Sequence, residues 1–194
     1  TRYAGPFTLT ASATVQAVAT ANGMTPSGPV SASFTVQSSQ PGAAIMLDNG
    51  QPKTNASGSS WTLVTNEPSA QDGDYHRSDD GSAQASYSWV FTLPQAGTYD
   101  IQVRWPAVSG LVKDVPVSLI STGVTTKTVL IDQSNRTNGG QWMSLGAYTT
   151  KTTSLTIRLS EPCKTTSTYD RFRGFIATMT CQPVGADAVR VVPQ

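Results

Sequence analysis

Aromatic and arginine side chains outside the regular strand pattern are the residues of this 194-residue chain best suited to bind a ligand. An aromatic face stacks on the C–H surface of a pyranose ring, and an arginine binds a carboxylate through two parallel charged hydrogen bonds. The residues predicted to bind in this way are Trp61, Tyr75, Arg77, Trp142, Tyr169, Arg171 and Arg173. Packing inside the fold is the competing interpretation for each tryptophan and for Tyr75. For Trp142, which follows the glycine turn at residues 138–140, packing is at least as strong an interpretation as ligand contact.

An acidic, glycine-containing segment lies at residues 71–81, with the sequence QDGDYHRSDDG. Such a segment can wrap Ca²⁺ with side-chain and carbonyl oxygens. Its spacing does not match the EF-hand loop, and His76 and Arg77 reduce its negative charge. We expect a solvated acidic loop and no cofactor, and a weak Ca²⁺ site at Asp72 and Asp74 is the alternative.

Nothing in the chain matches the pattern of a catalytic nucleophile. Such chemistry needs a base aligned with Ser, Thr or Cys, and His76 is the single histidine. No G-x-S-x-G motif occurs, and the acids that might hydrolyse a glycoside are mostly in one loop. The sequence therefore predicts a protein that is not an enzyme.

The two cysteines, Cys163 and Cys181, are predicted to form a disulfide, because an even pair in a Ser/Thr-rich β-chain is typical of an oxidising compartment. Closing this loop would stabilise the fold by about 3 kcal/mol on the chain-entropy model. The alternative is a pair of buried free thiols. A zinc site is not expected, since two cysteines and one histidine fit none of the usual spacings.

Composition argues against two classes of partner. Charged residues make up 13% of the chain and its net charge is +1, so it has no field that would recruit nucleic acid. No apolar run approaches the roughly 20 residues needed to cross a bilayer, and residue 1 does not begin a signal peptide. We expect neither a nucleic-acid nor a membrane partner, and any export signal would lie outside this sequence.

Alternation of apolar and polar residues over positions 82–107 predicts two strands joined by a turn, a central hairpin. Trp89 and Trp105 follow the inward register and are expected in the core. Further short strands at nearly regular spacing give about eight from residue 43 onward, and residues 187–192 suit a central strand. Asp187 is expected to be buried, with Arg190 or a backbone group as its partner. The predicted fold class is all-β: a jelly-roll-like antiparallel β-sandwich.

Residues 1–36 are predicted to be a separate small unit with strands at residues 7–9, 13–19 and 31–36, followed by a polar linker at 37–42. The stretch YAGPFTLTASATVQAVATANGMTPSGPVSASFTV resembles the C-terminal half of the small β-sandwich that ends chitobiases and other secreted glycosidases. Some three strands bury little surface and leave an open edge. We therefore expect this partial domain to pack on residues 43–194 or to pair with a second copy of the chain.

Several segments of residues 43–194 resemble the golvesin C-terminal domain, grouped with the carbohydrate-binding-like domain of xanthan lyases. The segments are LPQAGTYDIQVRWPA (93–107), DQSNRTNGGQWMSLGAYT (132–149) and ADAVRVVP (186–193), with DYHR (74–77) ahead of them. The resemblance implies a jelly-roll domain attached to secreted bacterial enzymes. Residues 160–185 depart from the family, which has a short connection there. This cysteine-bracketed insertion is where a feature particular to this protein is expected.

Together, the residues and the resemblance predict a non-catalytic carbohydrate-binding accessory module of a secreted, extracellular bacterial protein. Its partner would be an acidic polysaccharide of the xanthan type, and the catalytic module would lie outside this chain. The alternative is a structural spacer or an adhesion module that contacts protein.

Overall fold

The computed structural model describes residues 2–9, 12–34, 42–58, 61–78, 81 and 84–194. These residues form two compact units, Thr1–Gly42 and Ala43–Gln194. Several predicted features lie outside the described residues: most of the linker at 37–42, the end of the strand at 31–36, the acidic residues Asp79 and Asp80, and the start of the segment at 82–107.

The first unit contains one antiparallel pair, β1 (Ala13–Ala17) and β2 (Val30–Phe34). Ala13 pairs with Phe34 and Ala17 pairs with Val30. The predicted strand at residues 7–9 is wrong, since these residues have no strand partner. Phe7, Val30 and Phe34 are all exposed, because a single pair of strands has no opposing layer within this unit to cover them.

The second unit contains fourteen strands among its described residues, more than the eight or so predicted. Their bounds are β3 (Ile45–Leu47), β4 (Thr54–Ser57), β5 (Trp61–Thr65), β6 (Asp74–Ser78), β7 (Ser86–Thr92), β8 (Thr98–Arg104), β9 (Val115–Ile120), β10 (Lys127–Ile131), β11 (Met143–Thr149), β12 (Ser154–Ser160), β13 (Cys163–Asp170), β14 (Gly174–Cys181), β15 (Gly185–Ala186) and β16 (Ala188–Pro193). One 3₁₀ turn spans Gln71–Gly73. In the described part of the chain, no helix is long and apolar enough to cross a membrane.

Two antiparallel sheets form the sandwich, which confirms the predicted fold class. One sheet has the order β10-β9-β12-β7-β4 and the other has the order β11-β8-β16-β3. Their inner faces share one apolar core, to which β7 contributes Trp89 and β8 contributes Ile101. As predicted, β16 is a central strand, and it lies between β8 and β3.

The predicted central hairpin is wrong, because β7 and β8 belong to different sheets. β7 pairs with β12 and β4, whereas β8 pairs with β11 and β16. Alternation shows which side chains face inward, and it is the same for strands that pair and for strands that face each other across a core. The turn after β7 therefore carries the chain from one layer to the other.

The predicted acidic loop is partly a strand. β6 pairs with β5 along its whole length and with the two-residue β15, which gives a small three-stranded sheet. Ser78, fully buried, exchanges hydrogen bonds with the backbone of Val184, donating from its N–H (3.0 Å) and accepting at its hydroxyl (3.0 Å). The polar sequence of β6 does not predict a strand, and the partners along its second edge, β15 and Val184, are distant in sequence.

Candidate functional site

The cysteine-bracketed insertion folds as a hairpin of β13 and β14, and Cys163 and Cys181 form the predicted disulfide at its base. At the other end, one Asp170 carboxylate oxygen accepts hydrogen bonds from the backbone N–H groups of Phe172 and Arg173, both at 2.8 Å. Gly174 completes the turn with a φ of 76°, in the left-handed region that glycine adopts without strain. Both ends of this hairpin are therefore fixed.

Residues 169–175, here called the hairpin tip, expose three large aromatic side chains. The exposed fractions are 69% for Tyr169, 94% for Phe172 and 81% for Phe175. Tyr169 and Phe175 face each other across the strands, with ring centroids 5.2 Å apart in an edge-to-face arrangement. A contiguous exposed apolar patch on a folded domain commonly marks an interaction site.

The tip is also basic. Arg171 and Arg173 are exposed on either side of Phe172, while the one acid of the tip, Asp170, is occupied by the backbone of the turn. The structure thus brings together three of the predicted residues, Tyr169, Arg171 and Arg173. It adds Phe172 and Phe175, which are not among the predicted binding residues although the same two cysteines bracket them.

Trp142 lies elsewhere, on the outer face of the four-stranded sheet. The Arg190 guanidinium carbon is 4.4 Å from the centroid of the Trp142 ring, within cation–π range. Arg190 donates from Nε to Gln102 (2.6 Å), which in turn donates to Asp100 (2.6 Å). Trp142 is half-buried in this network, so packing accounts for its position, and a contact with ligand stays a prediction.

The glycine turn before Trp142 has a steric cause. A side chain on Gly139 would place its Cβ 2.5 Å from the Ala107 Cα and 2.9 Å from the Ala107 nitrogen, where no atom fits. The Gly140 N–H donates to the Trp105 carbonyl at 2.7 Å. These contacts hold the turn against the end of β8 and place Trp142 beside Arg190.

The other three predicted binding residues belong to the small sheet and have structural contacts. Tyr75 is only 3% exposed, because it falls on the inward face of β6, so the prediction that it contacts a ligand is wrong. Trp61 is half-buried against the core, with its ring 5.3 Å from that of Tyr87. Arg77 donates to the backbone carbonyls of Ser109 and Gly110, at 3.3 Å and 3.1 Å.

A group of acidic side chains lies near the end of β3. Asp48 and Asn49 follow that strand, Asp72 and Asp74 flank Gly73, and Asp187 immediately precedes β16. Burial raises the pKa of Asp48 to about 7 and that of Asp187 to about 8, and the neighbouring carboxylates add to both shifts.

Asp187 is buried as predicted, but its charged partner is not Arg190. Its Oδ1 accepts a hydrogen bond from the Gln71 N–H at 2.9 Å, and its Oδ2 lies 3.8 Å from Arg104 Nε. Arg190 instead faces away from the core with Gln102 and Trp142. The sequence thus anticipated the burial and the backbone partner of Asp187.

The fold and the stapled hairpin define an antiparallel β-sandwich module. Residues 45–169 match the family model of the Golvesin C-terminal domain, and the chain belongs to that family. The match ends at the hairpin tip, so Arg171, Arg173 and the last three strands lie beyond it.

One relative in sequence and one solved structure with a similar fold are xanthan lyases. A xanthan lyase of Bacillus sp. (strain GL1) is 29% identical over 107 residues, covering 54% of this chain and 11% of the relative. The structure of a Paenibacillus xanthan lyase is similar with a TM-score of 0.60 and 22% identity, over 84% of this chain and 14% of that one. The chain therefore spans only a small part of the length of these proteins.

Proposed function

We propose that this chain is a non-catalytic module that binds an acidic polysaccharide and keeps an attached catalytic module close to its substrate. The observation that carries the proposal is the hairpin tip, where exposed aromatic rings and two exposed arginines lie on a hairpin fixed at both ends. The similarity to xanthan lyases supports a polysaccharide ligand, since such enzymes act on xanthan.

The chemistry of the tip suits a sugar acid better than a neutral sugar. Tyr169, Phe172 and Phe175 offer apolar faces to pyranose C–H surfaces, and each guanidinium can bind a uronate or pyruvyl carboxylate with two hydrogen bonds. Because the hairpin is fixed before binding, little conformational entropy is lost on association. A catalytic module joined to such an anchor would meet its substrate at a raised effective concentration.

An extracellular location follows from the same proposal. A disulfide persists in oxidising compartments and is rare in the cytosol. The Cys163–Cys181 bond closes the hairpin that presents the tip, so the feature that points to an oxidising compartment also holds the proposed binding surface.

Replacing Arg171 and Arg173 together with alanine is expected to weaken retention on xanthan at least tenfold, because each charged hydrogen bond contributes roughly 1.5–3 kcal/mol. Affinity gel electrophoresis of the full chain in xanthan gels measures this. The matched control is Arg158→Ala, which removes an exposed arginine from the five-stranded sheet and should leave retention unchanged.

Three outcomes would contradict the proposal. If the chain is retained equally on carboxyl-reduced and native xanthan, the ligand is not recognised through its acidic groups. If Arg158→Ala and the double variant lose retention equally, the hairpin tip is not the binding surface. No retention of the native chain on any glycan would leave the alternative, a spacer or protein-contacting module, whose contact surface would be the same exposed aromatic tip.

A further inference from the structure

Five side chains with oxygen donors lie in three separate parts of the second unit, which are connected by the pairing of β3 with β16 and by the hydrogen bond from Asn49 to Asp74. Asp48 and Asn49 end the β3 strand, Asp72 and Asp74 lie at the 3₁₀ turn and the start of β6, and Asp187 precedes β16. We propose that these side chains form a calcium-binding site that ties the four-stranded sheet to the small three-stranded sheet. The proposal is independent of glycan binding.

Asp187 provides the first observation that points to a cation. Its side chain is fully buried, and Oδ1 accepts the Gln71 N–H at 2.9 Å. Among the described residues, Oδ2 accepts no hydrogen bond, and its one charged neighbour, Arg104 Nε, is 3.8 Å away and beyond hydrogen-bonding distance. Asp48 and Asp74 lie close enough to repel this carboxylate. Burial favours the neutral form of this carboxyl group, so its charged form needs a positive partner at Oδ2, which a bound cation would provide.

Asn49 provides a second, independent observation. It is 6% exposed, and its amide nitrogen donates to Asp74 Oδ1. Its amide oxygen is buried and accepts no hydrogen bond from any described residue. A buried amide oxygen without a donor costs free energy unless water or an ion satisfies it. Two buried oxygens from distant parts of the second unit, each on a side chain that interacts with Asp74, thus lack a donor among the described residues.

The charges in this part of the fold do not balance. Asp48 interacts with Asp72, Asp74 and Asp187, and Asp74 also interacts with Asp187. Among the described residues, Arg104 is the cation that pairs with one of them, and its Nη2 also donates to the Ser69 carbonyl at 3.0 Å. Burying Asp48 and Asp187 near two further carboxylates and one partly engaged arginine is unfavourable, and a divalent cation offsets the excess negative charge.

The donor set selects calcium among the common divalent cations. Ca²⁺ takes six to eight oxygens from carboxylates, amides and carbonyls in flexible geometries. Mg²⁺ requires a near-ideal octahedron and keeps several waters. Zn²⁺ favours nitrogen and sulfur, and His76 is the one such side chain beside the group, with its Nδ1 3.4 Å from the Asn49 amide nitrogen.

Calcium is expected to raise the melting temperature of the chelator-treated full chain. At a concentration of about 100 Kd the shift should be roughly 5–10 °C for a domain of this size. Isothermal titration with CaCl₂ alone should show a single site, and MgCl₂ at the same concentration should give a much smaller shift. Thermal unfolding followed by circular dichroism measures the shifts in melting temperature with calcium and with magnesium.

Two variants and a control test which residues bind the ion. Asp72→Asn changes an exposed residue, keeps the fold and is expected to weaken calcium binding at least tenfold, while Asp187→Asn should abolish it. Asp114→Asn removes an exposed acid from another loop and should bind like the native chain. Absence of heat and of a melting shift at millimolar calcium would overturn the site. Equal calcium affinity in native chain and Asp72→Asn, or tighter Zn²⁺ binding lost in His76→Ala, would overturn it as well.

Discussion

Replacing Tyr75 with alanine is expected to destabilise the second unit by about 3–5 kcal/mol, the usual cost of removing a large aromatic side chain from a core. Tyr75 is 3% exposed and lies on β6 opposite Val64. Its ring fills the space beside Gly185, where an added Cβ would lie 3.4 Å from the Tyr75 Cδ2. Denaturant unfolding of the full chain, followed by tryptophan fluorescence, measures the change.

The matched control is Tyr169→Ala, which removes the same ring from the hairpin tip. Because that ring is largely exposed, we expect a change in stability within about 0.5 kcal/mol, together with weaker retention on xanthan. The sequence predicted ligand binding for both tyrosines, and the two variants separate the buried Tyr75 from the exposed Tyr169. A Tyr75→Ala chain of native stability that had lost retention would contradict this interpretation.

The inward-facing residues of the sandwich could be predicted because a strand places alternate side chains on opposite faces. Trp89 and Trp105 are each 2% exposed, as their register required. Pairing could not be predicted in the same way. β12, at residues 154–160, lies between β7 and β9. The pairing partners of β7 and β9 therefore depend on a segment that is distant in sequence. Local alternation carries no information about such contacts.

The hairpin tip could be predicted from the sequence, whereas the acidic group could be predicted only in part. Two cysteines bracket the tip, so residues between them were expected to be ordered and distinctive. Asp72 and Asp74 are close in sequence and suggested an ion site by themselves. Asp48 and Asp187 join them because β3 pairs with β16, and strands at opposite ends of the unit bring these residues together only in the folded state.

Tyr75 shows why the predicted binding set was partly wrong. An aromatic residue among aspartates, a histidine and an arginine looks like a loop residue, since a polar segment has no apolar alternation. The strand is set instead by β5 and β15 on either side of it, and the inward position then belongs to Tyr75. The general reason is that burial depends on the partner strands, which local composition does not identify.

Opening the disulfide is expected to release the hairpin without unfolding the sandwich. The side chains of β13 and β14 are mostly exposed on both faces, and an isolated two-stranded hairpin is only marginally stable in water. Removing a cross-link that closes a loop of this length costs about 3 kcal/mol on the chain-entropy model. The strands should therefore open in the double variant Cys163→Ala, Cys181→Ala.

Hydrogen exchange measures this opening directly. A loss of about 3 kcal/mol corresponds to amide exchange on the order of 100-fold faster in β13 and β14. The amides of β12, which lies between β7 and β9, provide the internal reference and should exchange at the native rate. Unchanged protection in the hairpin would show that the Asp170 turn and the cross-strand pairs hold it without the disulfide.

The same variant connects the hairpin to binding. If the tip must be fixed to present Tyr169, Arg171 and Arg173 together, retention on xanthan should fall at least tenfold, because the ordering cost is then incurred on binding. Fast amide exchange in β13 and β14 together with unchanged retention on xanthan would show that the glycan binds elsewhere, since the hairpin would then be open. The disulfide would then contribute order to this hairpin but no affinity for the polysaccharide.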